Sequence, residues 1–68
     1  MSIVEAKREL FRELKKRNNA VTGAGIREKD GIEVIVIFIT DPHKIETIPS
    51  TYKGNIVISE IITVPRPM

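Results

Sequence analysis

The strongest constraint on this chain is the segment from Ile32 to Ile39, which is apolar at seven of its eight positions. A strand with one exposed face alternates apolar and polar residues, whereas a strand buried on both faces shows a continuous apolar run. The segment therefore predicts a strand that needs cover on both faces. A chain of only 68 residues has little other material from which to build two covers.

Length and composition limit the classes of protein to which the chain can belong. One domain is expected over residues 1–64, and the closely spaced prolines predict a loose tail over residues 65–68. Without cysteine there is no disulfide or thiolate metal site, and a single histidine rules out a multi-histidine site. We therefore expect no metal and no cofactor, and stabilisation by self-association or by docking on a larger protein.

Charge and hydropathy predict a soluble cytoplasmic protein with no membrane partner. The net charge is only +2, which gives no strong attraction to membranes or nucleic acid. No segment reaches the roughly 20 apolar residues of a spanning helix, and Glu5 and Glu9 stand where a signal peptide would have its apolar core. The twelve isoleucines, with many charged residues and no Gln, match proteins from hot environments. They match a gene with AT-rich codons equally well.

Residues 2 to 18 predict one amphipathic helix. Ser2 and Glu5 have the spacing of a capping box at its start. Asn18 or Asn19 is expected to end it in the left-handed conformation. The apolar stripe along one side of the helix consists of Ile3, Val4, Ala6, Leu10, Phe11 and Leu14.

Two strands and a tight turn are predicted after the helix. Val21 to Arg27 predicts the first strand, and Ile32 to Thr40 the second. Asp30-Gly31 between them supplies the positive φ angles that a hairpin needs. The second strand is expected to be the most buried element.

The remaining residues predict a short helix and a third strand. Asp41 and Pro42 have the residue types of an N-cap and a first helical position, and Pro49 ends the element. A loop then leads to the third strand, Ile56 to Val64. Its partner is left open, since it can lie beside either of the other two strands; a right-handed crossover would make it parallel to the second strand.

Together these elements predict an α+β fold, with one long N-terminal helix packed on a three-stranded sheet. The helix covers one face of the sheet. The segment 41–49 is expected to cover only part of the other face, because Ile45 and Ile48 are nearly its whole apolar content. A second copy or another protein would cover the rest.

Several short motifs resemble those of a known family. They are Ala20-Val21-Thr22-Gly23-Ala24-Gly25-Ile26, Asp30-Gly31, Val34-Ile35-Val36-Ile37-Phe38, Ile48-Pro49, Lys53-Gly54 and Val57. Over most of residues 4–64 they look like the small N-terminal module that precedes trypsin-like serine protease domains in some bacteria and archaea. The resemblance implies a non-catalytic module. Because the chain stops at Met68, where a protease domain would begin, no proteolytic activity is expected.

The residue types of a hydrolytic triad occur at Asp41, His43 and Ser50. Asp41 is better explained as a helix cap, and His43 as a lone surface histidine. The Gly23-Ala24-Gly25 segment lacks the following helix that a phosphate-binding loop needs. Close packing of the helix over the strand, or a bulge, explains these glycines better. No catalytic residue is assigned, and we do not expect an enzyme.

The basic end of the first helix is a candidate nucleic-acid surface. It comprises Arg12, Lys15, Lys16 and Arg17, with Arg27 and Lys29 as further contributors. Nucleic-acid binding normally adds a denser cluster and aromatic stacking partners, for which Tyr52 is available. A solvated helix end explains the same residues, so weak nucleic-acid binding is the second function.

The segment from Ile48 to Gly54 is the most distinctive loop. Tyr52, the only tyrosine, is a candidate partner anchor, with Ile45 and Ile48 nearby. The alternative is that its ring lies over the open sheet face with its hydroxyl in water. No small-molecule ligand is indicated. The leading function is a non-catalytic interaction or assembly module, which self-associates through apolar sheet surface or binds a larger protein.

Overall fold

The structure, a computed structural model, describes residues 2–62. Its elements are α1 (Ile3–Arg17), β1 (Val21–Lys29), β2 (Ile32–Ile39), a 3-10 helix (Pro42–Thr47), β3 (Thr51–Tyr52) and β4 (Asn55–Ile61). The predicted α+β class, with a long N-terminal helix on a sheet, is confirmed. The tail predicted over residues 65–68 and the last residues of the predicted third strand lie outside the described residues.

The helix α1 begins at the predicted cap but ends differently from the prediction. The Oγ of Ser2 accepts a hydrogen bond from the backbone N–H of Glu5 at 3.2 Å. Asn18 then ends the helix in an extended conformation, with φ −145° and ψ 107°, instead of the left-handed one. Its side-chain Oδ1 accepts from the backbone N–H of Ala20 at 2.9 Å. A side-chain hydrogen bond thus holds the turn into β1, so no positive φ is required at Asn18.

The antiparallel hairpin of β1 and β2 is confirmed. Its register runs from the pair Val21 and Ile39 to the pair Lys29 and Ile32. Asp30 and Gly31 form the turn with φ of 53° and 80°. The most buried strand is β2, as predicted, with at most 2% exposure at Val34, Ile35, Val36, Ile37 and Ile39.

The last strand, β4, lies beside β2 and parallel to it, which was one of the two arrangements left open. The sheet order is β1-β2-β4-β3. The loop predicted before the last strand contains the two-residue strand β3, which pairs antiparallel with β4. Lys53 and Gly54 turn between them with φ of 49° and 81°. The sheet therefore has four strands, since a strand of two residues is too short to show a period in the sequence.

The main hydrophobic core lies between α1 and one face of the sheet. It consists of Ala6, Leu10, Leu14, Val21, Ile35, Ile37, Ile39 and Val57. The isoleucines of β2 in this list occupy alternate positions, because successive side chains of a strand point to opposite faces. The side chains of Ile32, Val34, Val36 and Phe38 lie on the face turned away from α1.

The 3-10 helix lies on the same side of the sheet as α1. Ile48, which follows it, packs against the core below α1. The side-chain Nδ2 of Asn18 donates to the Oγ1 of Thr47 at 2.9 Å, which ties the end of α1 to this segment. The expectation that residues 41–49 cover part of the second face is therefore wrong. The two isoleucines of the segment could have packed on either face, and only their tertiary contacts decide between them.

Candidate functional site

We call the sheet surface turned away from α1 the far face. By strand alternation and register it carries Gly23, Gly25, Arg27 and Lys29 of β1, Ile32, Val34, Val36 and Phe38 of β2, and Ile56, Ile58 and Glu60 of β4. Within residues 2–62, the helices α1 and the 3-10 helix both lie on the other side. The far face is thus an apolar sheet surface with no layer of described residues over it.

The two glycines of β1 lie under an aromatic ring of the far face. A Cβ placed on Gly23 or Gly25 would be 3.5 Å from the ring of Phe38. The glycines face Phe38 and not α1, so close packing of the helix does not explain them. The register shifts between Val21 and Gly23, which agrees with the alternative of a bulge. The absence of side chains at the glycines lets Phe38 lie flat across β1.

An ion pair spans the middle of the far face. The Nη2 of Arg27 on β1 lies 2.7 Å from the Oε2 of Glu60 on β4, and β2 runs between these two strands. Below the pair, Val34 and Val36 are only 2% and 1% exposed. We infer that the long Arg27 side chain and its partner shield these valines from water.

Large apolar side chains remain exposed at the margin of the far face. Ile32 is 55% exposed and Ile56 is 45% exposed. Ile58 beside them is half-buried. The most exposed apolar side chains therefore lie beside the ion pair of Arg27 and Glu60, toward the start of β2, and not beneath it.

Tyr52 does not lie on the far face. Its ring packs against the core on the α1 side, and its hydroxyl donates to the Oε1 of Glu9 at 2.9 Å. The structural alternative considered for it, a ring on the open face with its hydroxyl in water, is therefore wrong. The same Oε1 accepts from the Nζ of Lys53 at 2.8 Å. Residues 9, 52 and 53 thus join α1 to the turn between β3 and β4.

The electrostatics of this three-residue contact favour its charged carboxylate. Hydrogen bonds from Lys53, and next from Tyr52, lower the pKa of Glu9 below its ordinary value of 4.5. Loss of solvation, followed by the hydrogen bond to Glu9, raises the pKa of Tyr52. The hydrogen bond to Glu9 also raises the pKa of Lys53.

Only two of the three predicted partner residues come together. Tyr52 and Ile48 line a groove of about 420 Å³ between α1 and the 3-10 helix. Glu9, Glu13 and Glu46 line it as well, so it is mainly acidic. Ile45 is 38% exposed and does not line this groove. Sequence reasoning placed these residues beside open sheet surface, and the structure places them on the opposite side of the sheet.

Three of the four predicted nucleic-acid residues lie together on α1. Arg12, Lys15 and Lys16 line a shallow cavity of about 360 Å³, together with Arg8 and Phe11, which the sequence prediction omitted. The Nζ of Lys15 lies 5.4 Å from the centre of the Phe11 ring. Helical spacing of three and four residues relates all five positions and could have identified Arg8 and Phe11. We call this surface the basic flank.

Arg17, the fourth predicted residue, is turned away from the basic flank. Its guanidinium lies 3.9 Å from the carboxylate of Glu13, and it lines the acidic groove instead of the basic cavity. The further contributors Arg27 and Lys29 both lie on β1, and Arg27 is paired with Glu60. The basic flank therefore belongs to α1 alone.

The residue types of the hydrolytic triad serve other roles or lie at the surface. Asp41 accepts a hydrogen bond from the backbone N–H of His43 at 2.9 Å, which is the predicted N-cap. His43 and Ser50 are both exposed. Among residues 2–62, no three side chains of the types that bind metals lie close enough together to share an ion.

Within the described part of the chain, no helix is both long and apolar enough to span a membrane. No protein-family model matches the sequence, and no curated protein or solved structure is significantly similar to it. The resemblance to the module that precedes trypsin-like proteases therefore stays a prediction that rests on its motifs.

Proposed function

We propose that this protein is a non-catalytic assembly module that self-associates through the far face of its sheet. The observation that supports this proposal is the apolar surface of that face, which no described helix or strand layer covers. A chain of 68 residues without cysteine has a small core and no disulfides. Burial of apolar surface between two copies would give it additional stability.

The charges of the far face favour a second copy of the chain as the partner. A twofold interface brings the same patch of both molecules together, so the patch must be complementary to itself. Arg27 and Glu60 are one cation and one anion on the same face, and both are partly exposed. In a twofold pair, Arg27 of each copy can face Glu60 of the other. A partner of one charge sign would be repelled by one of these groups.

The marginal isoleucines supply the apolar part of this interface. Full burial of an exposed Ile side chain contributes about 1.5–3 kcal/mol. Ile32 and Ile56 are about half exposed in the single chain and therefore retain a large part of that contribution for association. Both lie toward the end of the sheet at which β2 begins, so they would form an apolar patch beside the charged pair.

The test is the solution mass of the protein over a range of concentrations, measured by analytical ultracentrifugation. We expect a dimer, and we expect Ile56→Lys to convert it to a monomer because a lysine at the interface would be desolvated. Ile45→Lys is the matched control, since Ile45 is also an exposed isoleucine but lies on the 3-10 helix. Circular dichroism is the check that both variants remain folded.

A monomer at the highest concentration, without binding of an apolar dye, would contradict the proposal. Dissociation by Ile45→Lys with no effect of Ile56→Lys would contradict it as well, because the interface would then lie on the 3-10 helix side. A monomer that binds the dye strongly would indicate that a different protein, and not a second copy of this chain, binds the far face.

A further inference from the structure

The positive charge of this protein is concentrated on α1. The helix carries six Lys and Arg residues against three acidic ones, a net charge of +3. The rest of the chain carries five against six, a net charge of −1. A total of only +2 thus conceals a separation of charge between one helix and the remainder of the chain.

Two of the three acidic residues of α1 form their ion pairs with residues outside the basic flank. Glu9 is bound by Tyr52 and Lys53 at 2.9 and 2.8 Å. Glu13 pairs with Arg17 and lines the acidic groove. Among the described residues, Arg8, Arg12, Lys15 and Lys16 form no ion pair within 4.0 Å. Glu5 and Glu9 border Arg8 and Arg12, but the contacts that join α1 to the β3–β4 turn engage Glu9 elsewhere, so the four cations remain outside any close ion pair of the described residues.

The spacing of the free cations matches a chain of phosphates. Arg8, Arg12 and Lys16 follow one another at four-residue steps, and each step advances about 6 Å along the helix axis. Lys15 lies beside them over the Phe11 ring. Arginine forks bind phosphate oxygens in bidentate fashion. Phe11 is half-buried, and a row of cations beside a partly exposed aromatic ring is the arrangement with which proteins bind single-stranded nucleic acid.

We propose that the basic flank, Arg8, Arg12, Lys15 and Lys16 around Phe11, binds the phosphate backbone of single-stranded nucleic acid. An anionic membrane fits less well, because Phe11 is partly buried against the protein core and the flank lacks the broad apolar face that a membrane-surface helix inserts. The basic flank and the far face lie on opposite sides of the sheet. Binding to nucleic acid is therefore independent of the proposed self-association.

The test is fluorescence anisotropy of a labelled single-stranded oligonucleotide at several salt concentrations. Four phosphate contacts predict that the logarithm of the association constant falls with the logarithm of salt with a slope of about −2.8. The double variant Arg8→Gln, Arg12→Gln is expected to halve that slope and to weaken binding about 25-fold at roughly 0.1 M salt. The control Lys29→Gln, Lys44→Gln removes the same charge from exposed positions outside α1 and should leave the slope unchanged.

Two further arms identify the ligand class. Phe11→Leu keeps an apolar side chain against the core, and should weaken binding to the oligonucleotide but not to inorganic polyphosphate. No binding at low salt, or an equal loss in the control variant, would overturn the proposal. Equal binding of polyphosphate and oligonucleotide without an effect of Phe11→Leu, or binding to anionic vesicles alone, would also overturn it.

Discussion

The amide side chain of Asn18 donates to the hydroxyl of Thr47 across 29 residues of sequence, at 2.9 Å. Asn18 is only 5% exposed and is the buried polar side chain of the described structure. Its backbone N–H donates to the carbonyl of Leu14, and its Oδ1 accepts from the N–H of Ala20. One residue therefore ends α1, starts β1 and fixes the 3-10 helix on the α1 side of the sheet.

We expect Asn18→Ala to lower the free energy of unfolding by about 1–3 kcal/mol, because buried groups lose hydrogen-bond partners. Thr47→Val should lower it as well, since it leaves the Asn18 amide with no acceptor at that position. Chemical denaturation measures both effects. Asn19→Ala is the control, because Asn19 is exposed, and its effect should stay within about 0.5 kcal/mol. Equal effects at Asn18 and Asn19 would contradict the role of Asn18.

The fold could be predicted to the extent that its signals are local. The helix cap at Ser2, the Asp30-Gly31 turn and the continuous apolar run of β2 each depend on residues near in sequence, and each prediction is confirmed. The end of α1 was predicted from the usual left-handed asparagine. That prediction failed because the partners of Asn18 include Thr47, whose position depends on the tertiary fold.

A methyl group should fit at Gly25. Its φ is not in the left-handed region, and an added Cβ would make ordinary contact with Phe38 at 3.5 Å. We expect Gly25→Ala to raise the free energy of unfolding by about 0.4–1 kcal/mol, mainly because the unfolded chain loses conformational freedom. Thermal and chemical denaturation provide the measurement.

The matched control is Gly31→Ala, with the same substitution in the hairpin turn. Gly31 has φ +80° and open space around it, so the variant is strained by its backbone alone. We expect it to destabilise the protein. If both variants changed stability in the same direction, the assignment of Gly25 to a relaxed strand position would be wrong.

The contact of Glu9 with Tyr52 and Lys53 predicts a loss of stability in acid. The pKa of Glu9 is lowered in the folded protein. The stabilisation by its carboxylate is therefore fully present when the pH is above 4.5, the pKa of an ordinary glutamate. This stabilisation is lost as the pH falls through the lower pKa that Glu9 has in the folded protein. The difference in unfolding free energy between the wild type and Glu9→Gln should therefore shrink over that acidic interval.

The control for this pH dependence is Glu13→Gln, which removes a carboxylate from the same helix at a more weakly paired position. Its cost in unfolding free energy should be small, because Glu13 and Arg17 are exposed and 3.9 Å apart. Tyr52→Phe should retain the ring packing while it reduces the acid sensitivity, since it removes one donor to Glu9. A constant difference between the wild type and Glu9→Gln at all pH values would rule out the lowered pKa.

The candidate surfaces were less predictable than the fold, for a physical reason. The sequence of α1 identifies its cations. Whether these cations form ion pairs depends on which other residues bind the acidic side chains of the helix. Glu9 finds Tyr52 and Lys53 more than forty residues away. The apolar run of β2 correctly indicated two faces to cover, and only the tertiary contacts of Ile48 show that both helical elements cover the same one.

The ion pair of Arg27 and Glu60 should stabilise the protein mainly through the cover it gives to Val36. Exposed ion pairs contribute about 1 kcal/mol or less, and these two side chains are 53% and 42% exposed. Arg27→Met retains the long apolar stem, so its cost should stay within that range. Arg27→Ala removes the cover and exposes Val36, which is now 1% exposed. We expect this variant to be clearly less stable in chemical denaturation and to bind more of an apolar dye. If Arg27→Met and Arg27→Ala lowered the unfolding free energy equally, the charge of Arg27 and not its cover of Val36 would be responsible for the stabilisation.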